Sequence, residues 1–410
     1  MSDSYLSAAL QRSKDAAQAS DSGSLDVPMP PSKKAKKEEP AHQQARIAVC
    51  GAGWWSQGWH LPHLSRHPNA ICVAIVEPSA KPRSAISKLD SVAALGKKYG
   101  VPTFKSIDEL LKSGTAIDGV LVCTSHASHY ECGSKALAKG LHVMMEKPMT
   151  TDVEEAVKLA KLAETAEAKH GAKFMVNNTA NWRPQAVRAA EAVAGGSIGT
   201  VEHVVCLMHA PLLWLFDDPA NEGWTKPTGT MGGNGFGYGQ ISHMLAWVFK
   251  VAGLTPTEVY CSMTHSTRSG ADLTDAAVIR CANGASICLS GAGSVPGNAH
   301  GGDECKHISV RVFGSEGLLV YEGEDQVESS GHLELTRRDG AKKRRLASGF
   351  VFENYAAEGT GPESLQAFIE TCRGAKDAFI GVDAHVGLQV VRALDAMYRS
   401  SKSGKAEKVK

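Results

Sequence analysis

Long apolar runs, an excess of charge of either sign and paired cysteines are all missing from this sequence. No stretch approaches the roughly 18–20 apolar residues that a bilayer span needs, and the first residues lack the basic start and apolar core of a secretion signal. Lys and Arg number 44 against 43 Asp and Glu, a net charge of +1, which argues against nucleic-acid or acidic-membrane partners. We therefore expect a cytoplasmic protein that binds neither nucleic acid nor a membrane.

The ten cysteines lie singly along the chain, and none forms a Cys-x-x-Cys pair. Several fall in apolar, strand-like runs, where a thiol behaves as a small hydrophobe, and this favours a reducing compartment. The histidines His60, His63, His126 and His129 suggest a metal at first sight. No cysteine or carboxylate cluster accompanies them at ligand spacing, so we predict no metal site.

The two ends of the chain differ in composition from the rest. Residues 1–45 are rich in Ser, Ala, Asp, Lys and Pro without apolar periodicity, which predicts a disordered tail. The basic run Lys33–Lys37 in this tail is typical of a nuclear-import signal. Glu38 and Glu39 follow it directly, however, and a solvated charge run is the simpler interpretation. Residues 402–410 are polar, and we expect them to fray.

Residues 46–172 alternate short apolar runs with helical patterns, as expected for a parallel sheet covered by helices on both faces. The last helix has Thr151 or Asp152 as its cap and Gly171 beyond its end. This part of the chain predicts a doubly wound, Rossmann-type domain. The predicted strands are Arg46–Cys50, Ile71–Val76, Val120–Cys123, Leu141–Met145 and Phe174–Asn177, and the predicted helices are Ala85–Tyr99, His129–Lys139 and Asp152–Lys169.

Residues 173–401 change to consecutive strands joined by turn sequences such as Asn283-Gly284. Such a run predicts an α+β substrate domain with a large, mostly antiparallel sheet. A sheet with one free face often forms a subunit interface, so we expect a homo-oligomer through this sheet. The predicted strands are Val201–Met208, Glu258–His265, Ala276–Cys281, Ser286–Leu289, Ile308–Phe313, Leu318–Tyr321 and His332–Thr336, followed by helices Ser364–Cys372 and Ala384–Ser401.

A glycine-rich turn, Gly51-Ala52-Gly53-Trp54-Trp55-Ser56, directly follows the first strand. Gly51 permits a tight turn, and Gly53 lets the backbone approach a pyrophosphate, which the amides at the start of the next helix bind. Ser56 replaces the third glycine of the dinucleotide fingerprint Gly-x-Gly-x-x-Gly and is small enough for close helix–strand packing. The turn predicts a dinucleotide site. Trp54, Trp55 and Trp59 are candidate walls of its pocket, and core packing is the alternative for these rings.

Glu77 lies 24 residues after Gly53, at the end of the second strand. A carboxylate at that spacing accepts hydrogen bonds from the adenosine ribose and favours NAD as the cofactor. Lys81 and Arg83 lie close by and leave NADP open.

Three further motifs complete a family resemblance. They are Thr124-Ser125-His126-Ala127-Ser128-His129 after the strand that ends at Cys123, Glu146-Lys147-Pro148 after the strand that ends at Met145, and Gly239-Gln240-Ile241-Ser242-His243 after the glycine-rich loop Gly229–Gly239. With the fingerprint, they resemble the Gfo/Idh/MocA family of glucose–fructose oxidoreductase and inositol 2-dehydrogenase, over about residues 46–401. The resemblance implies an NAD(P)-dependent oxidoreductase that acts on a small, sugar-, polyol- or inositol-like substrate.

The resemblance also implies cofactor contacts. Thr124 and His129 match the ends of the family's Thr-Pro-Asn-x-x-His motif, while Ser125 and His126 replace its Pro and Asn, so this loop is expected beside the nicotinamide ribose. In the matching Glu-Lys pair the lysine contacts both the cofactor ribose and a substrate hydroxyl. The full set of candidate cofactor residues is Gly51, Gly53, Trp54, Trp55, Ser56, Glu77, Thr124, Ser125, His126, His129, Glu146 and Lys147.

The implied catalytic residues are Lys147 and His243. His243 matches the histidine of an Asp-x-x-x-His pair, commonly the acid/base next to the reacting carbon, whereas a buried core histidine is the alternative. The Asp of that pair falls at Gly239, a departure that makes a non-catalytic dinucleotide-binding sensor or scaffold the alternative function. Candidate substrate contacts are Tyr238 and Gln240, which flank Gly239, and Trp182 and Arg183, in a stretch that resembles the family's Arg-x-x-Pro.

Overall fold

Two sheets dominate the computed structural model of the chain, which describes residues 44–297, 306–325, 327–353, 359–375 and 377–410. Residues 1–43, with most of the predicted tail and with Lys33–Lys37, lie outside the described residues. Within the described ranges, no helix is both long and apolar enough to cross a bilayer. The nine cysteines in these ranges are all free thiols, and Cys305 falls outside them.

The first sheet has six parallel strands in the order β3-β2-β1-β4-β5-β6. This is the Rossmann order, and it reverses between β1 and β4, the switch point where doubly wound sheets bind ligands. The sheet and its helices confirm the predicted doubly wound fold. The strands are β1 Ala45–Cys50, β2 Ala70–Val76, β3 Thr103–Phe104, β4 Gly119–Val122, β5 His142–Met145 and β6 Phe174–Val176; the helices are α1 Leu61–Arg66, α2 Val92–Tyr99, α3 Ile107–Lys112, α4 His129–Ala138 and α5 Val153–His170.

Helix α2 is shorter than the predicted helix Ala85–Tyr99, because the segment before it is held as a loop. The Gln57 side chain accepts from the backbone N–H of Asp90 at 2.9 Å and donates to its carbonyl at 3.1 Å. Ser91 then caps the helix by accepting from the N–H of Ala94 at 3.3 Å. The apolar spacing of the segment predicted a helix where tertiary hydrogen bonds impose a loop.

The second sheet has nine strands in the order β14-β13-β12-β11-β7-β10-β9-β8-β15. Every pair is antiparallel except β7 with β10, which confirms a mostly antiparallel sheet. The strands are β7 Val201–His209, β8 Pro256–His265, β9 Asp272–Cys281, β10 Ser286–Ala292, β11 His307–Gly314, β12 Gly317–Glu324, β13 His332–Arg337, β14 Arg344–Ser348 and β15 Glu407–Lys408; the helices are α6 Pro184–Ala194, α7 Leu213–Phe216, α8 Glu222–Thr225, α9 Ser242–Ala252, α10 Glu363–Cys372 and α11 Ala384–Ser403.

Helix α11 joins the two sheets, because it packs on β8 and against α5. Beyond it, the expectation that residues 402–410 fray is wrong. The helix continues to Ser403, and β15 pairs with the edge strand β8. Arg399 secures this end by donating to Glu407 at 2.5 Å and to the Lys408 carbonyl at 2.8 Å. An edge strand offers unpaired backbone groups, and the polar tail satisfies them.

Candidate active site

The glycine-rich turn after β1 has one glycine that the fold requires and one that faces open space. Gly51 has φ +97°, and a Cβ there would lie 2.1 Å from the Cys123 carbonyl oxygen. Its N–H donates to the Val76 carbonyl at 2.8 Å, so the turn is threaded between β2 and β4. A Cβ on Gly53 would meet nothing within 4 Å. The backbone at Gly53 is therefore open to a ligand.

The helix that follows the turn begins as a π-helical segment, Ser56–His60, and continues as α1. The first N–H groups of a helix have no acceptor within it and bind anions readily. The Ser56 side chain is fully buried, so only its backbone can face a ligand. This burial fits the close helix–strand packing expected of Ser56 as the third position of the fingerprint.

Glu77, at the end of β2, is fixed beside the turn by two backbone amides. One carboxylate oxygen accepts from the Ala52 N–H at 2.9 Å, and the other accepts from the Ser79 N–H at 3.0 Å. A tight glycine turn, an open helix start and a carboxylate at the next strand end fit a dinucleotide, which would lie along the amides with its adenosine ribose toward Glu77.

Glu146, just after β5, is the centre of a buried hydrogen-bond cluster. Its Oε1 accepts from His60 at 2.7 Å, from the Trp55 indole N–H at 3.1 Å and from the Asn177 amide at 2.7 Å. Burial alone would raise the pKa of Glu146, but His60, Asn177 and the nearby Lys147 outweigh it and lower this pKa to about 2. Glu146 is thus an anion that orients the Trp55 wall and the segment leading to Lys147.

Lys147 connects the two halves of the molecule. Its Nζ donates to the Gly239 carbonyl at 2.6 Å and lies 4.8 Å from the centre of the Trp224 ring. Burial lowers the pKa of Lys147 to about 8, and the charge of Lys306 adds to this, while Glu146 and Glu353 oppose it. The amine therefore lies where the carboxyl end of β5 meets the loop before His243, a place called the crevice from here on. Its pKa is closer to neutral pH than that of an ordinary lysine.

His129 was predicted as a cofactor contact, and its position contradicts this. The ring is fully buried, and its Nδ1 lies 2.8 Å from the Pro148 carbonyl. Because a carbonyl only accepts, Nδ1 carries the hydrogen. His129 therefore fixes the turn that presents Lys147, and it does so from inside the fold.

The rest of the loop after β4 does reach the crevice. His126 is partly exposed and packs edge-on against Trp224, with ring centres 5.7 Å apart. Burial, aided by His129 and Lys147, lowers the pKa of His126 to about 3, so the ring is neutral. Thr124 is partly exposed and Ser125 is exposed; the Thr124 hydroxyl donates to the Ser125 carbonyl at 3.1 Å.

Tryptophan side chains pack in a row that begins at Trp224, the ring nearest the Lys147 amine. Trp54 packs edge-on against Trp55 at 5.2 Å and against Trp224 at 6.4 Å between ring centres. Trp55 in turn stacks on Trp59 at 5.0 Å. Sequence reasoning missed Trp224, because it lies in the short helix α8 outside every motif. Only the tertiary structure brings it to the lysine.

The glycine-rich loop before His243 is closely packed. The Gly237 N–H donates to Asp272 at 2.6 Å, and a Cβ on Gly235 would lie 2.5 Å from the Asp272 backbone. A Cβ on Gly239 would lie 2.7 Å from Cζ of Phe216. The loop thus has no room for the family's aspartate at position 239 without displacement of a buried phenylalanine.

His243, at the start of α9, faces a carboxylate from a distant part of the chain. Its Nδ1 lies 2.6 Å from Oε1 of Glu353, and Oε2 of Glu353 lies 2.6 Å from the Lys306 amine. Burial lowers the pKa of His243, and Glu353 opposes this. Lys306 also contacts Gln240 at 3.2 Å and Asp325 at 3.5 Å. Glu353, Lys306 and Asp325 carry no sequence signal that links them to His243.

Two of the four predicted substrate contacts are buried side chains with partners inside the protein, and these two predictions are wrong. Tyr238 is 1% exposed and stacks on Tyr398 at 5.2 Å. Trp182 is buried and donates its indole N–H to a backbone carbonyl at 3.1 Å. Both side chains stabilise the interior. Arg183 is partly exposed and pairs with Glu363 at 2.7 Å, and Gln240 is partly exposed beside Lys306, so these two residues stay candidates.

Metal ligation has no support in the described ranges, where no group of three or more His, Cys, Asp or Glu residues is placed to hold an ion.

Two family profiles match the chain, and together they cover more than half of it. The profile described as an oxidoreductase family with an NAD-binding Rossmann fold matches residues 45–177, and the GFO/IDH/MocA C-terminal domain matches residues 186–320.

Curated relatives are similar over different lengths. D-xylose 1-dehydrogenase (NADP(+)) 2 of Haloferax volcanii is 24% identical over 82% of this chain and 94% of its own length. Inositol 2-dehydrogenase of Leifsonia xyli is 33% identical over 30% of this chain and 34% of its own length. An uncharacterized oxidoreductase of Synechocystis is 26% identical over 43% of this chain, which matches 42% of that relative.

Solved structures share the fold over most of both chains. An oxidoreductase domain protein from Kribbella flavida has a TM-score of 0.66 and 23% identity, covering 90% of this chain and 100% of its own. The WlbA dehydrogenase of Bordetella pertussis, solved with NADH and UDP-GlcNAcA, has a TM-score of 0.64 and 20% identity over 90% and 99%. With the two profiles, these findings confirm the resemblance: the chain belongs to the Gfo/Idh/MocA family of oxidoreductases, and residues 45–177 are that family's NAD-binding Rossmann domain.

Proposed function

We propose that the chain is an NAD(P)-dependent dehydrogenase or reductase for a secondary alcohol, or the matching carbonyl, of a sugar-, polyol- or inositol-like molecule. The observation that carries the proposal is the Lys147 amine, which reaches from the carboxyl end of the parallel sheet to the Gly239 carbonyl at 2.6 Å. Position 239 is four residues, or about one helical turn, before His243. The substrate class follows the names of relatives that are dehydrogenases of xylose, galactose and inositol.

The chain itself must orient the substrate oxygen and move its proton, while the bound nicotinamide accepts or supplies the hydride. Lys147 has a pKa of about 8 and is therefore mostly protonated at neutral pH, so it donates a hydrogen bond to the substrate oxygen. His243 is neutral there, because burial lowers its pKa, and it accepts the hydroxyl proton during oxidation. General acid–base catalysis of this kind contributes about 10²–10⁴-fold in rate.

The aromatic walls support a small ring as the substrate. Trp224 lies 4.8 Å from the Lys147 amine, and Trp54 and His126 pack edge-on against Trp224. A site with apolar walls and a few convergent polar groups suits a compact ligand whose hydroxyls are recognised one by one. Exclusion of water also strengthens the electrostatic interactions of the lysine and histidine with the substrate.

Steady-state assays with NAD and with NADP over a panel of aldoses, inositols and acyclic polyols test the proposal. We expect turnover with at least one ring substrate, and we expect Lys147→Met to lower kcat by about 10²–10⁴-fold. Lys135→Met is the matched control, because Lys135 lies on the surface in ion pairs with Asp108 and Glu131. Cofactor binding without turnover on any of these substrates would contradict the proposal and favour a dinucleotide-binding sensor.

We also propose that the outer face of the second sheet forms a homo-oligomer interface. Tyr260, Val278, Cys288 and Val205 are register partners across the adjacent strands β8, β9, β10 and β7. Tyr260, Val278 and Val205 are 51%, 46% and 37% exposed, so they form a continuous apolar row of the kind that marks an interface.

Light scattering on purified protein tests this interface. We expect an oligomer from the wild-type chain and monomers from Val278→Glu. The matched control is Ile71→Glu, since Ile71 is 40% exposed but lies on β2 of the other sheet. A monomeric wild-type chain would contradict the proposed interface.

A further inference from the structure

We propose that Glu353 supplies the carboxylate that Gly239 leaves out, and that it positions His243 for proton transfer. The inference rests on the proposed function, because it assigns a positioning residue to that same site. The carboxylate reaches His243 from a segment 110 residues further along the chain, where Oε1 lies 2.6 Å from Nδ1 of the ring.

Position 239 itself has no room for a carboxylate. A Cβ there would lie 2.7 Å from Cζ and 3.0 Å from Cε1 of Phe216, which is fully buried. The Gly239 carbonyl is also the acceptor of the Lys147 amine at 2.6 Å, so a shift of this backbone would move the lysine. A carboxylate for His243 must therefore come from another element.

The segment that carries Glu353 is held in place by Gly331 on one side and by Gln185 on another. The Gly349 N–H donates to the Gly331 carbonyl at 2.9 Å, and a Cβ on Gly331 would lie 1.9 Å from the Phe350 carbonyl oxygen, so only glycine permits this approach. The Gln185 amide donates to the Val351 carbonyl at 2.8 Å.

Glu353 is also fixed by its own backbone, whose N–H donates to Asp325 at 3.1 Å. A rigid backbone keeps the carboxylate within reach of the ring, as positioning of a catalytic group requires.

The electrostatics of the pair assign a role to each ring nitrogen. The side chains of His243 and Glu353 are only 8% and 2% exposed, so water screens them little. The two atoms Nδ1 of His243 and Oε1 of Glu353 are close, but they are not aligned as a linear hydrogen bond. The negative charge beside Nδ1 nevertheless repels a lone pair on that atom and favours a proton there. Nε2 then keeps its lone pair and is the nitrogen that accepts a proton.

The charges around the pair explain why the carboxylate stays ionised. Burial alone would raise the pKa of Glu353, but His243 and Lys306 outweigh it and hold this pKa well below its usual range. Lys306 lies 2.6 Å from Oε2, and Asp325 lies 3.5 Å from the Lys306 amine. Lys147 and Lys306 both disfavour a charged His243, and Glu353 opposes them.

The charge-removing variant Glu353→Gln tests the proposal through the His243 ring itself. Long-range ¹H–¹⁵N NMR reports the pKa of His243 and the nitrogen that carries its proton, with or without turnover. We expect the variant to lower the pKa of His243 and to move part of the proton from Nδ1 to Nε2. We also expect kcat to fall by up to about 10⁴-fold, because the ring loses the carboxylate that fixes its tautomer, with KM for the dinucleotide unchanged.

Glu334→Gln is the matched control. Glu334 is buried on β13 and pairs with Arg345 at 2.7 Å, and we expect its loss to leave the His243 titration unchanged. If Glu353→Gln unfolds because Lys306 loses its partner, the double variant Glu353→Gln/Lys306→Met removes both charges of that ion pair. The pKa of His243, its protonated nitrogen and kcat are then measured in the double variant.

An unchanged pKa and an unchanged protonated nitrogen in a folded Glu353 variant would overturn the inference. Absence of turnover in the wild-type chain, together with a His243 titration that depends on Glu353, would instead contradict the proposed function and leave the pair intact. The two failures are therefore distinguishable.

Discussion

The two halves of the candidate site are built in different ways. The dinucleotide half takes Gly51, Gly53, Glu77 and Lys147 from the ends of neighbouring parallel strands, each directly after its strand. The substrate half takes His243 from a helix and surrounds it with Lys306, Asp325 and Glu353 from separate segments between 306 and 353. The first half follows from strand order, and the second depends on how distant segments pack.

This difference in construction determines which functional residues can be predicted from the sequence. The carboxyl ends of parallel strands meet at one edge of a sheet, so a motif after each strand reaches the same crevice. In an antiparallel sheet, successive turns alternate between opposite ends. Residues that meet there need not share a motif or a spacing.

The largest effect is expected in the dinucleotide half, from the two glycines of the turn. Gly51→Ala places a Cβ 2.1 Å from a backbone oxygen at φ +97°, and we expect the free energy of unfolding to fall by about 2–5 kcal/mol. Gly53→Ala places its Cβ in open space, so we expect an unchanged melting temperature and NAD binding at least about tenfold weaker. Thermal melts and calorimetric titrations measure both. Full NAD affinity in Gly53→Ala would contradict a pyrophosphate at this turn.

The pH dependence of kcat/KM for oxidation compares the two halves directly. His243 must be neutral to accept a proton, and its pKa is lowered by burial, so we expect the acidic limb below the ordinary histidine value of about 6.5. Lys147 must be protonated to donate, so activity should fall as pH rises through about 8. Lys147→Arg keeps the charge, and we expect it to remove the alkaline limb.

A different pH profile would reverse the roles of Lys147 and His243. If activity rises through pH 8 in the wild-type chain and then levels, Lys147 is the proton acceptor and His243 is not.

Cofactor choice gives a smaller effect, confined to the dinucleotide half. Glu77 accepts from the Ala52 and Ser79 amides and would repel a 2′-phosphate. We expect Glu77→Ser to shift the ratio of NAD to NADP affinity toward NADP by about tenfold, a difference of about 1.4 kcal/mol. Calorimetry with both cofactors measures the ratio, and the His243 titration serves as a control that should not move. An unchanged ratio would show that Glu77 does not face the ribose.

The smallest effect is expected from Trp224, which joins the two halves. Trp224→Leu removes a ring 4.8 Å from the Lys147 amine and its edge contact with Trp54. An exposed cation–π contact is worth about 0.5–1 kcal/mol, so we expect KM for the substrate to rise about two- to fivefold, with NAD affinity unchanged. A loss of NAD affinity equal to the rise in KM would place Trp224 on the cofactor instead.

Much of the fold follows from the sequence, because apolar periodicity and capping residues act locally. Asp152 caps α5 and Gly171 ends it, as predicted. The errors lie where distant groups decide the local structure: Gln57 holds a loop before α2, and Arg399 draws the last residues onto β8. Neither contact can be predicted from the spacing of the apolar or polar residues around it in the sequence.

The same distinction applies to the site. Lys147 lies two residues after β5, so strand order alone brings its amine to the Gly239 carbonyl. His129 and Tyr238 match or flank motifs, yet they are buried and support the crevice from within. Glu353 and Trp224 face the reactive groups without belonging to any motif. A motif predicts which segment comes to the site, and packing decides which side chain faces the ligand.

A crystal structure of the chain grown with NAD tests most directly whether the dinucleotide binds at the turn after β1 and reaches Lys147. We expect the pyrophosphate to bind the backbone amides after Gly51. We also expect the Lys147 amine to lie within hydrogen-bond distance of the nicotinamide ribose. A dinucleotide bound elsewhere, with the Lys147 amine still on the Gly239 carbonyl, would contradict these expectations.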